Sequence, residues 1–280
     1  MVLLVTIFTS EVSVIKVPSL DMRMPGAKPV HRDSYLCSSF DVVKLANNTE
    51  IGNTIHVTGF IPVADPSAVH HMLLFSCSNP VQQPGHVYDC VHHNMCKGPQ
   101  SIMYAWAKSA PSTHLPSHVS FTINPAERQY LVLQVHYAHP HRADYSGLSL
   151  KYQMKPTRYS AGIFILLRAG LHIPPNTATV HGDINCRLPS SVPLTVFAFR
   201  THAHSLSTVI TGYVHRQDTY AEIARGSPQW PQTFYPTIEV NGGGALCAML
   251  VTATVLFSYL PQSSGIKVSV NQSSFNLPME

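Results

Sequence analysis

Histidines in three short segments are the side chains of this sequence that are best suited to chemistry. His70 and His71 stand side by side ahead of an apolar run, in the stretch AVHHMLLFSC. His202 and His204 occur in FRTHAHSLS, and on a strand their spacing puts both rings on one face. His136 lies among apolar neighbours in VLQVHYAH. Neutral imidazole binds zinc, copper, iron and nickel alike, so these histidines are candidate metal ligands.

Each of these signals also has an ordinary structural interpretation. Adjacent side chains of a regular strand point to opposite faces, so His70 and His71 could be one core and one surface residue. They converge on one metal only where the backbone bends, at a strand end or a β-bulge. His202 and His204 could be surface residues, and a lone His136 in an apolar strand is usually a core residue. Taken together, the five predict two metal sites, one in each half of the chain.

The segments around these histidines predict an all-β protein. Short stretches rich in β-branched and aromatic residues follow one another, separated by Pro, Gly and Asn, as in β-sandwiches. The only helix-like segment is SIMYAWAKSAP, at residues 101–111. The longest uncharged apolar run, residues 245–260, is too short for a comfortable membrane span and is predicted to be a buried strand. The segment MKPTRY, residues 154–159, is predicted to divide the chain into two halves of similar size.

Composition narrows the classes of protein. Only 11% of the 280 residues are charged and 45% are hydrophobic, which excludes a disordered or coiled-coil protein. The formal charge of +4 comes from scattered residues with no basic run, so no nucleic-acid partner is expected. The 17 histidines make a histidine-rich metal protein worth testing.

Cysteine usage predicts a secreted protein. None of the six cysteines forms a CxxC pair, which argues against a zinc ribbon, and four fall within sixty residues like a local disulfide framework. The sequons Asn47-Asn48-Thr49 and Asn271-Gln272-Ser273 favour a glycoprotein. The N-terminal apolar run has no basic region before it, so it is either a clipped signal peptide or a first strand. We expect the secretory pathway, with the protein secreted or in a vesicle lumen.

Six separated motifs resemble the peptidylglycine α-hydroxylating monooxygenases, which are copper type II, ascorbate-dependent enzymes. They are DMRMPG, AVHHMLLFSC, MYAWAKSAP, LVLQVHY, FAFRTHAHSL and SPQWPQTFYP, and they occur in the family's order. The resemblance implies two antiparallel, jelly-roll-like β-sandwich domains that face each other across a cleft, with one copper in each. We therefore expect a signal or N-terminal extension at 1–19, an electron-transfer copper domain at 20–155, and a shortened oxygen- and substrate-binding copper domain at 156–280.

The resemblance also implies roles for single residues. His70, His71 and His136 match the three ligands of the electron-transfer copper, and His202 and His204 match two ligands of the oxygen-activating copper. The planar fork of Arg200 matches the group that holds the peptide's C-terminal carboxylate. Two family disulfides are matched by Cys37–Cys90 and Cys77–Cys96.

The second copper site departs from the family pattern. The family's third ligand there is a Met immediately before a Cys, whereas this chain has Leu246 before Cys247, and leucine has no lone pair. Met249 is nearby, but on a strand it would point to the opposite face. The family also has a longer stretch where this chain has only NGGG, residues 241–244. The first site is thus expected to be complete and the second incomplete.

The activity that the resemblance implies is hydroxylation of the α-carbon of a C-terminal glycine, the first step of peptide amidation. The substrates would be glycine-extended peptides and O2, with ascorbate as reductant and a separate lyase for the second step. One alternative is a secreted copper-binding isoform or relic with little turnover, because the second site lacks its Met ligand. Another is a dopamine β-monooxygenase-like hydroxylase, although Arg200 and PQTFYP follow the peptide enzymes.

Overall fold

The structure, a computed structural model, consists almost entirely of β-strands. It describes residues 17–46, 54–91, 94–107, 110–166, 172–187, 194–203, 206–216, 219–231, 233–238, 253–259 and 267–275. The strands of the first half are β1 (Ser19–Arg23), β2 (Ser34–Asp41), β3 (Ile55–Val63), β4 (Val69–Cys77), β5 (Val87–Asp89), β6 (Gln100–Ala107), β7 (Thr113–His114), β8 (Val119–Ile123), β9 (Tyr130–Tyr137) and β10 (Gly147–Gln153). Those of the second half are β11 (Tyr159–Leu166), β12 (Gly182–Arg187), β13 (Leu194–Arg200), β14 (Ser207–Arg216), β15 (Thr219–Gly226), β16 (Tyr235–Pro236), β17 (Ala253–Tyr259) and β18 (Lys267–Phe275).

One short helix, α1 (Val42–Leu45), interrupts the strands of the described residues. It follows β2 directly, and the Asp41 carboxylate accepts hydrogen bonds from the backbone N–H groups of Val43 and Lys44 at 3.0 and 3.3 Å. This is the usual way in which an N-cap side chain satisfies a helix's first donors. No helix in the described part of the chain has the length and apolarity needed to cross a membrane.

The first half is a sandwich of two sheets around one apolar core. One sheet has the antiparallel order β5-β2-β9-β4-β6, and the other runs β1-β10-β3-β8. The alternation of residues along β9 shows why this strand lies in the sandwich with one face toward the core. Its odd-numbered residues, Leu131, Leu133, Val135 and Tyr137, are fully buried in the core between the sheets. Its even-numbered residues, among them His136, face the other side because side chains alternate along a strand.

The second half adds two further groups of strands. Strands β11, β17, β13 and β16 form one group, and β12, β18, β14 and β15 form an antiparallel sheet. A short parallel pairing, Tyr159 with Val119 and Ser160 with Ser120, joins β11 to β8, so the large sheet of the first half continues into the second. All other pairings of the named strands are antiparallel. The all-β prediction is thus confirmed, with this one parallel contact between the halves.

The helix-like interpretation of residues 101–111 is wrong. Most of this segment forms β6, which pairs with β4 from Cys77 opposite Gln100 to His71 opposite Ala107. Its large residues Met103, Tyr104 and Trp106 are at most 5% exposed. The local sequence does not strongly favour helix or strand. As an edge strand of this sheet the segment buries three large side chains, which stabilises the protein more than an isolated helix would.

Both disulfides implied by the resemblance are formed. Cys37–Cys90 connects β2 to the residue after β5, and Cys77–Cys96 connects the end of β4 to the loop between β5 and β6, with Cα atoms 5.9 and 5.7 Å apart. The two bridges lie on the face of β9 that points away from the main core, with Phe75, Met95 and Val132 packed around them.

Candidate metal centre

The backbone of β4 brings the adjacent histidines together through a β-bulge. Val69 lies opposite Tyr137 of β9 and His71 lies opposite His136, so His70 is an extra residue with no partner of its own. Such a residue bends the strand and re-aims its side chain. As a result, Val69 and Met72 both reach the core although they are three positions apart. This arrangement follows the second of the two sequence interpretations, in which both rings turn toward one point.

Three ring nitrogens meet at this point. The Nδ1 atoms of His70 and His136 are 3.2 Å apart, and that of His71 lies 3.3 Å from each of them. A neutral imidazole presents at Nδ1 either a proton or a lone pair. With three atoms and two states, at least two of the nitrogens must be alike and repel each other. Hydrogen bonds among the neutral rings therefore cannot satisfy the cluster, whereas a cation facing three lone pairs can.

The size of the triangle suits a transition metal. Its sides of 3.2–3.3 Å, divided by √3, place the centre about 1.9 Å from each nitrogen, close to the roughly 2.0–2.1 Å of a metal–imidazole bond. The three histidines are the one group of His, Cys, Asp and Glu residues in the described part of the chain with this convergence. The residues present thus fit a bound copper ion.

The surroundings favour the neutral form of two of the three imidazoles, His71 and His136, and a metal ligand must be neutral. Burial, reinforced by His136, His70, Arg200 and His202, lowers the pKa of His71 to about 3. Burial also lowers the pKa of His136, although a carboxylate partner acts in the opposite direction. At neutral pH His71 and His136 therefore present lone pairs, and a metal does not have to displace a proton from them.

The His136 ring is held by Tyr35, which lies in β2, and by Asp33, which lies in the turn before β2. The Tyr35 ring lies parallel to it, with centroids 4.2 Å apart and an interplanar angle of 4°. The Asp33 Oδ1 atom lies 3.1 Å from His136 Nε2, the nitrogen that points away from the cluster. Sequence reasoning missed Asp33 because it lies 103 positions from His136, and only the pairing of β2 with β9 brings them together.

Arg200 and His202 approach this cluster from the second half of the chain. Arg200 is the last residue of β13 and is 7% exposed. Burial lowers its pKa to about 10, although Tyr104 acts in the opposite direction, so the guanidinium stays charged at neutral pH. His202 is partly buried, and both residues are close enough to depress the pKa of His71. The Tyr104 ring also stacks on Phe60 and lies 6.1 Å from that of Phe234.

Several predicted features lie outside the described residues. These are His204, Leu246, Cys247, Met249, the NGGG segment, the Asn47 sequon and residues 1–16, while for Cys186 and Asn271 only the backbone is described. The convergence of His202 with His204 therefore remains a prediction.

Comparison with known proteins agrees with the geometry. The model of the copper type II ascorbate-dependent monooxygenase N-terminal domain matches residues 20–144, and that of the C-terminal domain matches residues 159–254. The chain is 36% identical over 242 residues to the peptidyl-glycine alpha-amidating monooxygenase of Mus musculus, which covers 83% of this chain and 24% of that protein. It is also 36% identical over 234 residues to form A of that enzyme from Xenopus laevis, covering 80% of the chain and 24% of the relative.

A more distant relative has a different name. The DBH-like monooxygenase protein 1 of Homo sapiens is 32% identical over 203 residues, which cover 61% of this chain and 31% of that protein. The chain spans about a quarter of the length of the amidating relatives it matches.

Proposed function

Because the chain belongs to the copper type II, ascorbate-dependent monooxygenase family, we propose that it hydroxylates the α-carbon of the C-terminal glycine of peptides. The observation that carries this proposal is the triangle of Nδ1 atoms of His70, His71 and His136, which fits copper. The choice of peptide substrate is supported by the 36% identity to amidating monooxygenases, compared with 32% over a shorter stretch to the DBH-like protein.

Bound copper would supply one-electron redox chemistry and oxygen activation, which imidazole ligands support. In the overall reaction the glycine C–H bond becomes C–OH with one atom of O2, and the other atom leaves as water. Ascorbate provides the two electrons, and two protons come from solvent. His70, His71 and His136 would hold the electron-transfer copper, and His202 and His204 would contribute to the oxygen-activating copper.

Arg200 would position the substrate. Its planar fork matches a carboxylate with two parallel N–H···O bonds, and its low exposure makes such a charge-assisted pair stronger than on an open surface. Arg200 stands two residues before His202, so a carboxylate held there places the terminal glycine near that histidine. Fixing the reacting carbon in this way lowers the entropic part of the barrier.

The compartment and the next reaction step follow from the same proposal. The two disulfides, which persist in oxidising environments, support residence in the secretory pathway, with secretion or storage in a vesicle lumen and glycosylation at the two sequons. The α-hydroxyglycine product still carries its C–N bond, so amidation requires a lyase that cleaves this bond and releases the peptide amide.

The test is ascorbate-dependent formation of α-hydroxyglycine from a glycine-extended peptide, with copper supplied. We expect product from this peptide and none from the same peptide with a C-terminal amide, which lacks the carboxylate. Arg200→Lys should raise the KM about tenfold because one contact of the fork is lost, worth roughly 1.5 kcal/mol. Equal turnover of both peptides, or an unchanged KM in the variant, would contradict the role of Arg200, and no product under any condition would contradict the activity.

A further inference from the structure

One carboxylate approaches the histidine cluster from outside. Asp33 Oδ1 lies 3.1 Å from Nε2 of His136, whose Nδ1 points at the other two rings. By comparison, the His141 Nε2 and Asp65 Oδ2 atoms are 4.0 Å apart. Asp33 is not one of the three proposed copper ligands, so metal binding by the histidines does not by itself explain this contact.

The local backbone is arranged to make this contact. Asp33 has a φ of 55°, in the left-handed region that non-glycine residues enter at a cost, although Asp tolerates it better than most. The Ser34 hydroxyl donates to the His31 carbonyl at 2.8 Å and closes the turn. The next residue, Tyr35, lies opposite His136 in the pairing of β2 with β9 and stacks on its ring. The His136 plane is therefore fixed on one face by Tyr35 and at its outer edge by Asp33.

This geometry determines which His136 nitrogen carries the proton. With a carboxylate at Nε2, the proton resides there and is donated to Asp33, which leaves the Nδ1 lone pair directed at the cluster. A carboxylate bonded to the far nitrogen of a metal-bound imidazole also increases the electron density that the ring offers to the metal. Stronger donation stabilises Cu(II) more than Cu(I), since the more highly charged ion gains more from it.

We propose that Asp33 is a positioning residue which, through its hydrogen bond to His136, selects the metal-binding tautomer and sets the affinity and reduction potential of the copper held by His70, His71 and His136. This inference rests on the proposed function, because it assumes copper at that cluster. The negative charge of Asp33, as well as its hydrogen bond, is required for the effect on the potential.

The test uses the full chain loaded with one equivalent of copper and compares wild type, Asp33→Asn and Asp65→Asn. The Asp33→Asn variant keeps an acceptor oxygen of similar size and removes only the charge. The Asp65→Asn variant removes a charge near a histidine outside the cluster and serves as the matched control. The readouts are Cu(II) affinity by chelator competition, the midpoint potential, and the nitrogen hyperfine pattern of Cu(II) in electron paramagnetic resonance, none of which requires turnover.

Asp33→Asn should weaken Cu(II) binding about tenfold while three imidazoles remain bound. If Cu(I) affinity is unchanged, that factor corresponds to a rise of about 59 mV in the one-electron potential. Asp65→Asn should have the same Cu(II) affinity and the same midpoint potential as the wild type. Wild-type affinity and potential in Asp33→Asn would overturn the inference and leave the proposed function standing. A wild-type chain whose copper is unaffected by His136→Ala would instead overturn the proposed function itself.

Discussion

At the scale of single residues, metal binding depends on what each imidazole offers at one nitrogen. His71 is uncharged at neutral pH because burial lowers its pKa to about 3, so one of its ring nitrogens carries a lone pair. In His136 the contact of the outer nitrogen with Asp33 directs the lone pair to Nδ1. The residue types and the pairing of His70 with His71 could be identified from the sequence. Asp33 could not, since nothing in its neighbourhood marks an aspartate whose partner lies 103 positions away on the adjacent strand.

Leu246 occupies the position at which the family has a Met ligand for copper. Without a thioether, the proposed second copper site would have one protein ligand fewer, so hydroxylation should be slow while peptide binding is retained. Leu246→Met should increase the rate of ascorbate-dependent hydroxyglycine formation at least tenfold with little change in KM. Val251→Met, which adds a thioether on the opposite face of the same predicted strand, is the control and should leave the rate unchanged. A wild-type rate equal to that of Leu246→Met would show that the missing thioether does not limit turnover.

At the scale of elements, a bulge in β4 shapes the candidate centre. The extra residue His70 in β4 turns two sequence neighbours toward one point. The sequence left open whether one histidine faces the core and one the surface, or whether both converge at a strand end or a bulge. It could not decide, because strand register depends on which residues reach the core of the assembled sandwich. The same dependence on neighbours explains why the β6 segment was interpreted as helix-like.

The two disulfides give an element-scale prediction for the copper-free protein. They close loops of 53 and 19 residues, Cys37–Cys90 and Cys77–Cys96. On the chain-entropy model, replacing both cysteines of the shorter loop by serine should lower the free energy of unfolding by about 3 kcal/mol, and the longer loop should cost about 1 kcal/mol more. Denaturant unfolding of the two double variants measures this, with the disulfide-bonded wild type as reference. Equal midpoints for wild type and both variants would contradict it.

At the scale of the whole molecule, strand content was predictable and the connection between the halves was not. Alternating and apolar runs predicted strands such as β3, β4, β9 and β10 because strand periodicity is local. The parallel contact of β8 with β11 joins residues about forty positions apart and has no local signature. Arg200 and His202 come within electrostatic range of His71 only through the folding of both halves.

The number of copper ions that the full chain retains after titration and dialysis tests directly whether the three histidines bind copper. Three imidazoles serve the first site, and the sequence provides only two for the second, so about one tightly held copper per chain should remain. His136→Ala should abolish that copper, and His204→Ala should retain it. Retention of the tight copper in His136→Ala would show that His70, His71 and His136 do not form the copper centre.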